Sequence, residues 1–246
     1  MATRRNVSPA AAVTAAAILR ELKAHASEER RAFTEGYFPS AMRILGVPVP
    51  DLRRVAKATA RAVRDWPPER VHQLVDQVIA KNTVEGRQAA YEIVAAHAGA
   101  FAALDTRRIE ALGQGMDNWA SVDAFATSIS GRAWLSGQLT DARVHRWAKA
   151  RDLWWRRAAL ASTVPLNIRA RGGSGDGPRT LAVAERLADD QEPMVAKALS
   201  WALRCLVPWD RGAVEAFVER HDDVLAAIVK REVATKLRTG KKNPRS

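Results

Sequence analysis

The chain has 246 residues, with 39 Lys and Arg against 27 Asp and Glu, a formal net charge of +12. At 47% hydrophobic residues it can bury a core, which excludes wholesale disorder. Its single cysteine, Cys205, excludes an internal disulfide and a cysteine-based zinc site, and fits a reducing, cytoplasmic setting. The charge bears on partners rather than on fold: nucleic acid first, an anionic membrane surface second, acidic proteins third.

Along the chain, Arg4-Arg5 and the Ala-rich stretch from Ala10 to Leu19 loosely mimic a signal peptide. The stretch is weakly hydrophobic and runs directly into Arg20-Glu21-Leu22-Lys23, so it reads as an amphipathic helix. No apolar run approaches the ~18 residues of a membrane-spanning helix. Ala, Leu, Arg and Glu dominate almost every segment, and alternating β-branched runs are missing, so helices are expected and strands are not. Helix starts are expected at Ser8-Pro9, at Asp65 to Glu69, at Thr140-Asp141, at Asp152 and at Glu192-Pro193. Gly46, Gly113 and Gly115 mark ends. Residues 171–178, with four glycines, read as a flexible, exposed connection. One helical domain is expected over 1–239, and a basic, disordered tail over 240–246.

A repeat emerges when the helices are compared. A basic residue beside small positions opens similar amphipathic helices at Arg87-Gln-Ala-Ala-Tyr, Arg157-Ala-Ala-Leu, Lys197-Ala-Leu-Ser-Trp and Arg231-Glu-Val-Ala, at intervals of 70, 40 and 34 residues. Residues 119–128 occupy the middle of the longest interval. Two-helix units of ~34–47 residues predict an all-α, HEAT-like repeat solenoid. Its second helices would line a concave, positively charged groove. Arg87, Arg156, Arg157, Lys197, Arg204, Lys230 and Arg231 are the groove candidates, and such a groove suits the phosphates of a duplex. An irregular helical bundle with solvated surface charges is the competing reading.

The five histidines (His25, His72, His97, His145, His221) are scattered without metal-ligand spacing, and no dinucleotide or phosphate-loop motif occurs. No metal and no cofactor is expected. Trp119 and Asp123 are i and i+4 on one helix and share a face. Trp201 and Arg204, at i and i+3, share another. Each alone also fits ordinary packing or a surface ion pair.

Taken together, Trp119-Ala-Ser-Val-Asp123, Trp154-Trp-Arg-Arg157-Ala-Ala-Leu and Lys197-Ala-Leu-Ser-Trp201-Ala-Leu-Arg204 resemble the AlkD-like DNA glycosylases, the HEAT-like alkylpurine family. Leu45-Gly46 through Arg53-Arg54 and Lys230-Arg231-Glu232 are similar to further parts of its pattern, so the resemblance spans about residues 15 to 237. It implies excision of cationic N3- and N7-alkylpurines from double-stranded DNA by a monomer without a membrane partner. By motif position, Trp119, Asp123 and Trp201 fall on the catalytic cluster, Arg157 on an arginine at the DNA backbone and active site, and Arg204 on a further phosphate contact. Arg156 and Arg157 are about 100° apart, so one of them faces the groove, and Arg157, directly before Ala-Ala, is the choice. The sequence departs from the pattern around Pro165, where a further basic residue is expected.

An alkylpurine already carries positive charge, so its departure requires no general acid, and a single carboxylate suffices where sugar–sugar hydrolysis uses two. Asp123 would stabilise the developing sugar cation and orient water, with the tryptophan faces around it. No lysine accompanies the cluster, so a Schiff-base lyase step has no nucleophile. A non-catalytic repeat protein for bent or branched DNA, and a protein-interaction scaffold, remain as alternatives. Arg4, Arg5, Lys236, Arg238, Lys241, Lys242 and Arg245 supply seven of the positive charges, leaving +5 for residues 6–235.

Overall fold

The computed structural model describes residues 8–241. Arg4, Arg5 and residues 242–246 of the expected tail lie outside them. Contacts divide the chain into two compact units, Met1–Ile129 and Ser130–Ser246. Among the described residues no strand forms, and a single bridge pairs Arg43 with Thr83.

In the first unit the helices are α1 (Pro9–Ala24), α2 (Glu28–Tyr37), α3 (Val49–Ala62), α4 (Pro68–Ile79), α5 (Val84–Ala96), α6 (Ala98–Ala102), α7 (Thr106–Gly113) and α8 (Trp119–Phe125). α1 begins at Ser8-Pro9, and it buries Ala11, Ala15, Ile18, Leu19 and Leu22 against its neighbours, chiefly α4. This is the amphipathic helix the spacing predicts. α3 and α4 pack on α5, and α5 packs on α8. Tyr91 and Phe125 are fully buried there, their rings 5.8 Å apart.

Gly46 marks no helix end. It lies at φ +83° in the extended strap between α2 and α3, where a Cβ would overlap the carbonyl of Ser27. The strap is clamped by Glu85 in the first turn of α5. Its carboxylate accepts the main-chain N–H groups of Leu45 (2.9 Å), Gly46 (2.8 Å) and Val47 (3.2 Å). Glu85 is 6% exposed. Three N–H donors and the positive end of α5 make this burial of a carboxylate tolerable.

The second unit contains α9 (Gly131–Leu135), α10 (Asp141–Ala148), α11 (Leu153–Ala161), α12 (Gly177–Glu185), α13 (Pro193–Leu206), α14 (Arg211–Arg220) and α15 (Ala227–Thr239). Asp152 caps α11 by accepting from Trp154 N, and Asp210 caps α14 by accepting from Ala213 N. α11, α13 and α15 pack successively on one another. These are the helices at intervals of 40 and 34 residues, each packed on the next. The architecture is an all-α helical repeat.

The glycine-rich connection is packed rather than loose. Gly173 is buried against the carbonyls of Pro165 and Leu166, and Gly175 (φ +87°) lies against the indole of Trp209. Its glycines serve close approach, and local composition alone cannot distinguish that from mobility. Trp209 Nε1 donates to Asn167 O (2.9 Å), and Asn167 accepts from Asp176 N (2.9 Å), which closes the turn.

Candidate active site

In the first unit the candidate site is built on the start of α8. Asn118 caps the helix by accepting Ser121 N, and Ser121, Val122 and Phe125 turn inward. Trp119 and Asp123, one turn apart, both stay half-exposed, so their shared face is the outward one. Thr127 donates its hydroxyl to the main-chain oxygen of Asp123 (2.7 Å), and the helix widens there into a π-turn, Ala126–Ser130. Such turns redirect side chains and are concentrated at functional sites.

Trp119 is braced by rings that the sequence reading missed. It meets Tyr37 edge-on (centroids 5.7 Å, 88°) and Phe38 likewise (5.5 Å, 74°). Phe38 sits in a small core of Met42, Ile44 and Val84, against which Trp119 packs. The strap that carries these rings is tied to the residues before α8. Asp117 accepts from Ser40 Oγ (2.7 Å), Ala41 N and Asn118 Nδ2 (3.0 Å). Burial pushes the Asp117 carboxyl up, but the hydrogen bonds from Ser40, Asn118, Ala41 and Met42 outweigh it and hold the group below its ordinary value. The signal for this network was present in the sequence: Asp117-Asn118 is an N-cap pattern directly before Trp119, and Phe33 and Tyr37 are i and i+4 aromatics.

Arg87 is corrected. It is 4% exposed, and its guanidinium donates to Leu112 O (3.2 Å), Gln114 O (3.0 Å) and the Tyr91 hydroxyl (3.2 Å). It ties α5 to the end of α7 and offers no charge to a phosphate. Burial pushes the Tyr91 hydroxyl above its ordinary value, with Arg87 opposing, so the phenol stays neutral.

In the second unit α13 carries Lys197 and Trp201, i and i+4, on its outward face, Lys197 exposed and Trp201 half-buried. Arg204, seven residues from Lys197, lies on the same side of the helix, but its guanidinium is drawn in toward α15. It is 8% exposed, with Nε donating to Ser200 Oγ (3.0 Å) and NH2 paired with Glu232 (3.3 Å). Ser200 also donates to Glu232 (2.6 Å). Arg204 therefore joins α13 to α15, and its expected role as a phosphate contact is withdrawn. Cys205 beside it is pushed up to about 11, mainly by burial, so its thiol is poorly nucleophilic.

On α11, Arg156 pairs with Asp190 (2.7 Å) and donates to the carbonyls of Ala150 (3.1 Å) and Arg151 (2.8 Å). Its Nε and NH1 are thus engaged within the unit, and its charge is paired rather than free. Arg157 is 5% exposed and donates to Met194 O, reaching toward the start of α13. Trp155 packs on Trp147 (4.9 Å) and is the core member of the Trp154-Trp155 pair. On α15, Arg231 is exposed, while Lys230 donates to Asp222 O (2.8 Å) and pairs with its carboxylate (3.4 Å). Lys197 and Arg231 are thus the exposed members of the expected cationic set without an acidic partner among the described residues, while the Lys230 side chain is 39% exposed within a surface ion pair. Among the described residues no three His, Cys, Asp or Glu side chains gather as a metal site would require, and no helix is long and apolar enough to cross a membrane.

A family model described as DNA alkylation repair enzyme matches residues 18–237. A solved structure described as a predicted DNA alkylation repair enzyme from Enterococcus faecalis is similar to this chain, with a TM-score of 0.70 at 20% identity, over 87% of this chain and 98% of that one. At that identity the likeness speaks for the shared fold. No curated protein sequence matches.

Proposed function

The chain belongs to the DNA alkylation repair enzyme family, and from that premise we propose that it is a monofunctional DNA glycosylase for cationic alkylpurines in duplex DNA. The observation that carries the proposal is the pairing on α8: a half-exposed indole and a half-exposed carboxylate, one turn apart, on a helix capped and braced so that both face outward.

The chemistry requires little else. An N3- or N7-alkylated purine is cationic, and its glycosidic bond breaks with the electron pair moving to the purine nitrogen. The base leaves neutral while positive charge appears on the sugar. Asp123 offsets that charge and orients the water whose oxygen bonds to C1′, the proton passing to the carboxylate or to solvent. Trp119 supplies a π-face to the cationic sugar and excludes bulk water. Arg157, largely buried and hydrogen-bonded to Met194 O, acts by positioning rather than as an open phosphate clamp. Lys197 and Arg231, being exposed, take the backbone phosphates of a HEAT-like groove. α8 carries no lysine beside Trp119 and Asp123 to form a Schiff base, so the expected product is an abasic site with the strand intact.

Duplexes carrying one N7-methylguanine or N3-methyladenine, incubated with the protein and then treated with mild alkali, test this. The expected result is strand breaks at the lesion only after alkali. Breaks before alkali would overturn the monofunctional assignment, and no breaks in either arm would overturn the glycosylase.

A further inference from the structure

We propose that the outward face of α2 is a stacking platform for an unstacked nucleobase of duplex DNA, with Phe33 as its outer ring. The inference rests on the reading that DNA is the ligand, but it does not depend on any base being released.

Not one residue of α2 is buried, yet the helix carries two large aromatics, Phe33 and Tyr37, each 65% exposed. They are one turn apart, and their rings stack with centroids 6.0 Å apart at 18°. Tyr37 then meets Trp119 edge-on. A row of three rings therefore runs from half-buried Trp119 outward to Phe33 in solvent. Packing does not explain Phe33, because nothing among the described residues covers it. Contiguous exposed apolar surface of this kind marks an interaction site.

Continuity of this row with Trp119 points to the ligand of that site as the occupant, and Arg30 suits it. Arg30 stands at i−3 from Phe33 on the same helical face and is exposed. The ion pairs of α2 are those of Arg31 with Glu28 and Glu35, which leave Arg30 without an acidic partner among the described residues. Glu29, exposed and at i−4 from Phe33, stands on the other side of the ring on the same helical face. An open ring with an unpaired guanidinium one turn away suits a nucleotide: the base stacks on the ring, and the phosphate meets the cation. The platform is also held in advance. Ser40 and Ala41, just past Phe38, are bonded to Asp117, and Asn118 is bonded to Ser40, so Tyr37 and Trp119 are anchored to one network. A ring fixed before binding loses little freedom when a base stacks on it.

The test compares two unmethylated duplexes, one with a single bulged 2-aminopurine and one with the same base paired. Wild type is expected to bind the bulged duplex more tightly and to quench its fluorescence. Phe33→Ala is expected to lose about tenfold in affinity for the bulged duplex, the scale of one base–ring stack. Its affinity for the paired duplex should stay within about twofold, because no base is unstacked there. Phe33→Trp should retain both properties, and Phe33→Leu neither, since Leu is apolar without a π-face. Unchanged binding and quenching in Phe33→Ala overturns the platform, as does full rescue by Leu, which would make this an apolar surface for a protein partner. Neither duplex contains an alkylated base, so a failure of glycosylase activity on methylated DNA would be registered separately.

Discussion

Replacing Glu85 with Ala removes the acceptor of three buried main-chain N–H groups at once, those of Leu45, Gly46 and Val47. Each orphaned buried donor costs about 1–3 kcal/mol. The strap can shift enough to admit some water, so the lower part of the range applies, and the loss is about 4 kcal/mol. At about 2–4 °C per kcal/mol for a chain of this size, that corresponds to roughly 8–16 °C in Tm. Glu85→Gln tests the reasoning more finely. Its amide oxygen can still serve Gly46 and Val47, but its NH2 group then faces the N–H of Leu45, donor against donor. The expected loss is about 2 kcal/mol, including the charge removed from the first turn of α5. Urea unfolding followed by tryptophan fluorescence measures both variants. A loss under about 1 kcal/mol for Glu85→Ala, or a Gln variant less stable than the Ala variant, would refute the account of the strap.

Three further outcomes follow from the geometry. Arg204→Ala removes the cation that Glu232 and Ser200 share, leaving only their own hydrogen bond, and should cost about 2–3 kcal/mol in chemical denaturation, below the range of a fully buried pair because Glu232 is partly exposed. Lys197→Ala and Arg231→Ala should each leave stability within about 0.5 kcal/mol. Each should also reduce the slope of log K against log salt for duplex binding by about 1, as one lost phosphate contact does; unchanged slopes would remove these residues from the interface. Asp117 is held below its ordinary value of 3.8, so its contribution to stability is present above that pH and is lost as pH falls through the lower folded value. Asp117→Asn should therefore be less stable than wild type at pH 7 and converge with it in acid, which thermal melts across pH 2.5–7 can read.

What the sequence reveals and what it hides follow one physical distinction. Helix starts at Ser8-Pro9, Asp152 and Glu192-Pro193 are local, since a cap or an N-terminal proline acts within one turn, and all three appear where the spacing predicts. The recurrence at 40 and 34 residues corresponds to α11, α13 and α15, which pack successively on one another. The pairing of Trp119 with Asp123 is legible because i, i+4 spacing on an established helix determines the shared face. The side-chain fates of Arg87, Arg156 and Arg204 are not legible. Each depends on a carbonyl or carboxylate brought from elsewhere in the chain, Leu112 for Arg87, Asp190 for Arg156 and Glu232 for Arg204. On α13 the i, i+3 reading places Trp201 and Arg204 on one side of the helix, but it cannot show that the Arg204 guanidinium is taken by Ser200 and Glu232. A periodic cation thus resembles a groove residue until its partner across the packing interface is known. The Tyr37–Phe38–Asp117 brace was hidden for the same reason, as its two halves lie 77 residues apart at Ser40 and Asp117.

The central claim is that Asp123, beside Trp119, drives loss of a cationic base from the sugar. Mass spectrometry of the bases released from methylated duplex DNA, wild type against Asp123→Asn, tests it most directly. The account predicts release of N3-methyladenine or N7-methylguanine by wild type, and a rate lowered by about 100-fold or more in Asp123→Asn, with duplex affinity and unfolding midpoint nearly unchanged. Equal rates for the two proteins, or no base released by wild type, would contradict it.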